Sequence, residues 1–229
     1  MKKTLAIIPA RGGSKRLPGK NVREFLGYPL IHWSIIFARS IPQFDKVAVS
    51  TDSEEIADVC RSIGQEVAGL RPAVLATDTA TSADVVLDVL DREQKQGRFY
   101  DRIALLQPTS PMREASRWEK AFACMESPDT EAVIGVGYAS GHPTHMFHVG
   151  DDGFLVRDEA AAPDGARERL AVLGNLYLIR TDVLEVQRTF FPPRTVGVVC
   201  DKPYEMIDID TKADWIAAVA FGKQYGRTP

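Results

Sequence analysis

The chain has 229 residues, of which 28 are basic and 31 acidic, giving a formal net charge of −3; 45% are apolar and 26% charged. This balance excludes a largely disordered chain, because enough apolar surface is present to offset ordering entropy, and it lacks the basic excess of a general nucleic-acid binder. The length suits one large α/β domain or two small ones, and the chain is read as a single domain over 1–229.

The apolar stretch from Thr4 to Ala10 is at the lower limit for a signal-peptide core. Arg11 ends it and no small-residue cleavage site follows, so it reads as a buried first strand over Leu5 to Pro9. No run approaches the roughly 18 apolar residues of a membrane span. Pro29 can open a helix in which Leu30, Trp33 and Phe37 share a face. Lys46 to Ser50 reads as the second strand. Thr51, Asp52 and Ser53 offer caps for a helix with Ile56, Val59, Cys60 and Ile63 inward and Gly64 as its stop. Thr81 or Ser82 caps the next helix, with Val85, Val86, Val89 and Leu90 inward and Gly97 at its end. Arg102 to Leu106 is a third strand. Ser116 with Glu119 has capping-box spacing for a helix through Met125. Ala132 to Tyr138 is a fourth strand.

This alternation predicts an α/β fold, a mostly parallel sheet with helices on both faces. The rhythm breaks from about 140 to 172, which reads as an inserted arm with extended pieces at Met146 to Val149 and Phe154 to Val156. Leu173 to Arg180 resumes a strand. Ile207 to Ile209 is short and extended. Thr211 with Asp214 caps a final helix whose expected inner stripe is Trp215, Ile216, Val219 and Ala220. Cys60, Cys124 and Cys200 are scattered and odd in number, as expected of free thiols in a reducing, cytoplasmic compartment.

Four segments carry candidate chemistry. The loop after the first strand holds Arg11, Lys15, Arg16, Lys20 and Arg23 within 13 positions, with Gly12, Gly13 and Gly19 among them. Clustered cations and glycines that expose backbone amides describe a polyphosphate cradle, placed where parallel sheets bind such ligands. Ser14 and Asn21 exclude a Walker A loop. A solvated basic turn is the bland alternative. In Ile207-Asp208-Ile209-Asp210, alternation points the two carboxylates the same way, about 7 Å apart. Such a hard-oxygen pair suits Mg²⁺, and a helix cap is the alternative. Gln107-Pro108-Thr109-Ser110-Pro111 is a stiffened polar loop after a strand, and an ordinary rigid turn is its alternative. Arg71 and Ser82 flank a fourth segment. Each has a structural alternative, an acidic neighbour for Arg71 and an N-cap role for Ser82. His142, His145 and His148 do not form a convincing metal set, because Pro143 breaks a helix and a strand would split His145 from His148.

Taken together, IIPARGGSKRLPGKN, VSTD, LRPAVLATDTATS, LLQPTSPMR and IDIDT resemble the CMP-sialic acid synthetases (acylneuraminate cytidylyltransferases) and, more distantly, the CMP-Kdo synthetases. The resemblance implies a three-layer Rossmann-like nucleotidyltransferase fold with a small dimerisation arm. It implies transfer of CMP from CTP to the anomeric hydroxyl of a nine-carbon sialic-type acid by an Mg²⁺-dependent homodimer. Arg11 and Lys20 then match the catalytic cations on the triphosphate, assisted by Lys15. Ala10, Gly13, Asn21, Arg71 and Ser82 match nucleotide contacts. Gln107, Arg167 and Tyr177 match the sugar side, and Asp208 and Asp210 the metal pair, with Asp210 also helping to deprotonate the hydroxyl. The family's Asn-Gly-Ala-Ile-Tyr is replaced by Leu173-Gly174-Asn175-Leu176-Tyr177. Asn175 leans towards pseudaminic acid, whereas the loop at Gln107 leans towards neuraminic and legionaminic acids. A glycosyltransferase with a DxD motif and a silent nucleotide-binding regulator are the competing readings.

Overall fold

The computed structural model describes residues 2–138, 147–149, 155–157 and 170–229. In chain order the main elements are β1 (Thr4–Pro9), the short strands β2 (Glu24–Phe25) and β3 (Tyr28–Pro29), α1 (Leu30–Ser40), β4 (Lys46–Ser50) and α2 (Glu54–Ser62). They continue with α3 (Ser82–Lys95), β5 (Arg102–Leu105), α4 (Ala115–Cys124) and β6 (Ala132–Tyr138). The last part holds β7 (Phe147–Val149), β8 (Leu155–Arg157), β9 (Leu170–Arg180), α5 (Thr181–Gln187), β10 (Thr195–Val199) and α6 (Lys212–Gln224).

Six strands form one sheet in the order β10-β6-β9-β5-β1-β4. Only β9 runs against its neighbours, pairing antiparallel with both β5 and β6. The other pairings are parallel. Strand alternation sorts the core onto two faces. Ala6 and Ile8 of β1 pack with Ile31 and Ile35 of α1, Ile56 and Cys60 of α2, and Trp118 and Phe122 of α4. Leu5 and Ile7 pack on the other face with Val86 and Leu90 of α3 and Leu184 of α5. A third cluster, including Phe25, Trp33, Met112 and Ile209, lies beneath α6. The expected three-layer α/β fold is therefore present.

Local signals explain most boundaries. Ser53 caps α2, accepting from the Ile56 amide at 3.4 Å. Thr81 with Asp84 and Thr211 with Asp214 form reciprocal capping boxes on α3 and α6. Gly64 and Gly97 follow α2 and α3 at φ +69° and +76°, a conformation that suits glycine after a helix.

Three readings need correction. α4 begins at Ala115, so Ser116 lies inside it and makes no capping box with Glu119. Glu114 takes the cap position, and its carboxylate instead accepts from Tyr204 and pairs with Arg227. Ile216 and Ala220 of α6 are exposed, while Ala218 and Gly222 face inward. A Cβ on Gly222 would stand 2.2 Å from Leu26 Cδ1, so the helix seats there through its smallest residues. Ile207–Ile209 follows the expectation, with Ile207 extended, and pairs with no strand among the described residues. It follows a 3₁₀ turn at Pro203–Met206. β9 begins at Leu170, within the span read as the arm. Finally, α5 and β10 had no sequence expectation, and β10 closes the sheet beside β6.

In the arm, β7 and β8 pair antiparallel, each within a residue of its expected position. His142, His145 and Arg167 lie outside the described residues. The three cysteines are free, and burial pushes Cys60 and Cys200 up to about 11. No helix among the described residues is long and apolar enough to cross a membrane.

Candidate active site

β1, β4 and β5 are parallel, so their C-terminal ends open on the same edge of the sheet. A cleft of ≈ 630 Å³ lies there. Its walls come from the loop after β1, the segment leading to α3, the loop after β5 and the stretch before α6. The structure thus brings together Arg11, Lys15, Lys20, Asn21, Arg71, Ser82, Gln107, Asp208 and Asp210, residues from four separate stretches of sequence.

The basic loop is held at both ends. The Gly12 amide donates to Asp52 Oδ1 at 2.9 Å, and a Cβ on Gly12 would stand 2.9 Å from Ser53 Cβ, so a larger side chain would push the loop off α2. Asn21 Nδ2 donates to the Arg11 carbonyl at 3.1 Å, tying the end of the loop to its start. The Ala10 amide donates to the Ser50 carbonyl at 2.8 Å. Gly19 turns the chain at φ +66° just before Lys20, where a side chain would be strained.

Lys20 is buried, yet its ammonium reaches the cleft. Its Nζ donates to the Ile209 carbonyl at 2.7 Å and to Asp210 Oδ1 at 3.0 Å. Arg16 pairs with the other Asp210 oxygen. Across the cleft, Asp78 binds Arg11 at 2.7 Å and Lys15 at 2.5 Å. These two cations hold the Asp78 carboxyl below the usual carboxylate range, with the Lys15 hydrogen bond the larger cause. The segment carrying both metal-candidate aspartates is pinned by the Ile209 amide, which donates to the Thr109 carbonyl at 2.8 Å. Asp214 accepts from the Asp210 amide at 3.1 Å.

Arg71 is buried and binds backbone and hydroxyl oxygens rather than an acidic neighbour. It donates to Ser50 Oγ at 3.0 Å, to the Ser50 carbonyl at 2.6 Å and to the Leu75 carbonyl at 3.3 Å. Burial pulls its pKa down. Thr81, not Ser82, caps α3, which leaves the Ser82 side chain to the cleft wall.

The structure places three expected residues elsewhere. Ala10 is buried beneath the loop, and Gly13 is exposed beside the cleft rather than lining it. Tyr177 packs against Phe190 and Phe191, off the cleft wall. Burial raises its pKa, with the Asp208 charge adding to the effect. Asn175, read as a specificity position, is buried in the sheet. Its Nδ2 donates to the Glu205 carbonyl at 3.2 Å, and its Oδ1 stands 2.2 Å from where a Cβ on Gly135 would be.

Sequence reasoning missed Asp78, Arg113 and the pairing of Arg16 with Asp210. Arg16 was visible only as a member of the basic cluster, and Asp78 only as part of the ATDTATS segment. Arg113 is buried with no carboxylate partner among the described residues, and burial lowers its pKa to about 9. It donates to the Gln107 carbonyl at 2.5 Å, to Ser34 Oγ at 3.0 Å and to the Asn175 carbonyl at 3.0 Å, fixing the loop that presents Gln107.

Asp78, Asp208 and Asp210 line the cleft, and with Asp78 taken up by Arg11 and Lys15 the pair Asp208 and Asp210, with no group of three His, Cys, Asp or Glu together among the described residues, matches a donor set of few hard oxygens. That set suits Mg²⁺, which completes its octahedron with water and phosphate oxygens.

A cation-rich loop at the carboxyl edge of a largely parallel sheet, faced by paired aspartates, defines a nucleotide-handling α/β transferase. The family profile described as Cytidylyltransferase matches residues 5–140, more than half of the chain. The chain belongs to the cytidylyltransferase family. It is 35% identical over 215 residues to CMP-N,N'-diacetyllegionaminic acid synthase of Legionella pneumophila, covering 92% of each protein. It is 32% identical over 223 residues to N-acylneuraminate cytidylyltransferase of Streptococcus agalactiae, covering 95% of this chain and 52% of that one. The chain therefore spans about half the length of that relative. A solved structure of CMP:2-keto-3-deoxy-manno-octonic acid synthetase complexed with CTP has the same fold, with TM-score 0.74 at 21% identity over 97% of this chain and 99% of that one.

Proposed function

We propose that the chain transfers CMP from CTP to the anomeric hydroxyl of a nonulosonic acid and releases pyrophosphate. The N-acylneuraminates are the leading acceptor class, with the legionaminic and pseudaminic acids beside them. The observation that carries the reading is the meeting of Arg11, Lys15, Arg16 and Lys20 with Asp208 and Asp210 in one cleft. The family membership and the relatives' activities support it. The family match, rather than the cleft itself, counts against a DxD glycosyltransferase.

The roles follow from charge. Arg11, Lys15 and Lys20 bind and neutralise the phosphates, since transfer of this kind is mostly positioning and charge stabilisation. Arg71 and Ser82 hold the nucleoside end, and Gln107 faces the sugar. Asp208 and Asp210 hold Mg²⁺, which when bound supplies positive charge at the phosphates and acidifies a coordinated hydroxyl. Asp210 accepts the proton of the anomeric hydroxyl. A new O–P bond forms to the α-phosphorus, the bond from that phosphorus to the bridging oxygen breaks, and pyrophosphate carries away the electron pair. The reading extends to a homodimer built through the arm at about 140–172, tested by light scattering, and to a cytoplasmic location. The test of function is pyrophosphate release from CTP and Mg²⁺ with a panel of nine-carbon acids. Release with at least one of them is expected, and no release with any refutes it.

A further inference from the structure

Asp78 stands out within the cleft because it matches no catalytic, nucleotide or metal role. It lies between the 3₁₀ turn Ala73–Leu75 and α3, on the wall opposite the basic loop. Its carboxylate splits between two cations, Oδ1 taking Arg11 and Oδ2 taking Lys15. The side chain is 50% exposed, so no core packing requires it. Its segment is shaped independently of that carboxylate. Arg71 holds the Leu75 carbonyl, and the Thr77 and Thr79 hydroxyls bond at 3.1 Å.

Arg11 and Lys15 are two of the cations assigned above to the phosphates. A carboxylate oxygen and a phosphate oxygen seek the same N–H donors. A phosphate group that takes the donors now on Asp78 displaces it, and one that takes the remaining donors sits beside a like charge, so binding becomes a competition of anions rather than a simple gain. We propose that Asp78 is a resident competitor for Arg11 and Lys15 that weakens the hold on polyphosphate and so sets how readily pyrophosphate leaves after transfer. This inference rests on the function proposed above. After the O–P bond to the sugar has formed, pyrophosphate is held by the same cations, and the returning carboxylate replaces it. The exchange involves no covalent step.

Asp78→Asn keeps the shape and removes the charge. Exposed ion pairs are individually weak, so relief of two of them is expected to tighten Mg²⁺–pyrophosphate binding by roughly three- to tenfold. The measurement is isothermal titration with Mg²⁺ and pyrophosphate, with product inhibition by pyrophosphate in the turnover assay as a second readout. Asp78→Glu restores the charge and is expected to return affinity towards that of the parent chain. Asp129→Asn makes the same charge change at an exposed pair with Arg194, away from the cleft, and is expected to leave affinity unchanged. If Asp78→Asn binds pyrophosphate no better, or worse, Asp78 merely positions the two cations and the inference fails. If the parent chain releases pyrophosphate in turnover while Asp78→Asn shows unaltered inhibition, only this inference falls. If the parent chain neither binds nor releases pyrophosphate, the proposed function falls and takes this inference with it.

Discussion

Lys20→Met tests the phosphate loop most sharply, because Lys20 serves both the fold and the chemistry. Its side chain is only 9% exposed and donates to the Ile209 carbonyl and the Asp210 carboxylate. Methionine keeps much of the volume but leaves a buried carbonyl and a carboxylate each short of a donor. Hydrogen bonds to charged groups contribute about 1.5–3 kcal/mol, so a stability loss of about 2–3 kcal/mol is expected. For a chain of this size that lowers Tm by roughly 5–10 °C. The loss of turnover is larger. A cation aligned on charge that develops in the transition state is worth roughly 3–4 kcal/mol, which lowers kcat by roughly 10²- to 10³-fold. The two effects separate when pyrophosphate release is assayed at 25 °C on protein whose melting curve shows it folded. A lowered Tm with kcat within about threefold of the parent would refute the catalytic role and leave Lys20 a structural pin.

Asp210→Asn should abolish the Mg²⁺ response of turnover, measured as rate against Mg²⁺ concentration; an unaltered response removes Asp210 from the metal pair. Gly174→Ala should raise KM for the acid with KM for CTP little changed. A Cβ there would lie 2.6 Å from Gln107 Oε1 and 2.7 Å from Ser110 Oγ, so the flexible Gln107 carboxamide must move on the sugar side alone. Glu93 is buried against Lys46, Arg98 and Tyr100, and chiefly the Arg98 hydrogen bond holds its carboxyl down to about 2, against 4.5 for an unperturbed one. Its contribution is therefore fully present above about pH 4.5 and is lost as pH falls towards 2. Glu93→Gln should destabilise by about 3 kcal/mol near neutrality, with the gap closing across that window in denaturant titrations. A gap independent of pH would contradict the ion-pair account.

Strong local signals were readable from the chain. The cap at Thr81 or Ser82, the Thr211–Asp214 box and the glycines after α2 and α3 act within one turn and need no distant partner. The Ser116–Glu119 spacing failed because α4 begins at Ala115, one residue before Ser116, and the Glu114 at its cap position is turned to Tyr204 and Arg227, far away in sequence. The α6 stripe was half right: Trp215 and Val219 pack on the core, but Ile216 and Ala220 remain outside, and the closest seating is made by Ala218 and Gly222, where small size rather than apolar area decides. β10 carries Gly197 in a short run of valines, and its pairing with β6 is a long-range event that the turn at Pro193 and Arg194 alone does not announce.

The site divides in the same way. Charge density exposed the loop at Arg11 to Lys20, and alternation exposed Asp208 and Asp210. Neither could reveal that Asp78 faces Arg11 and Lys15, since 67 and 63 positions separate them. Arg113 escaped because a lone arginine in a loop carries no sign of burial. Asn175 was misjudged because only the fold shows it turned into the sheet, towards Glu205 and Gly135.

The central claim is that the cleft joins CMP from CTP to a nonulosonic acid. Pyrophosphate release with CTP and Mg²⁺ against neuraminic, legionaminic, pseudaminic and Kdo acids tests it directly. The account predicts acid-dependent release with at least one nine-carbon acid, at rates well above those with Kdo, and loss of that release in Lys20→Met. Release that is independent of any acid, or CTP binding without release across the whole panel, would contradict it.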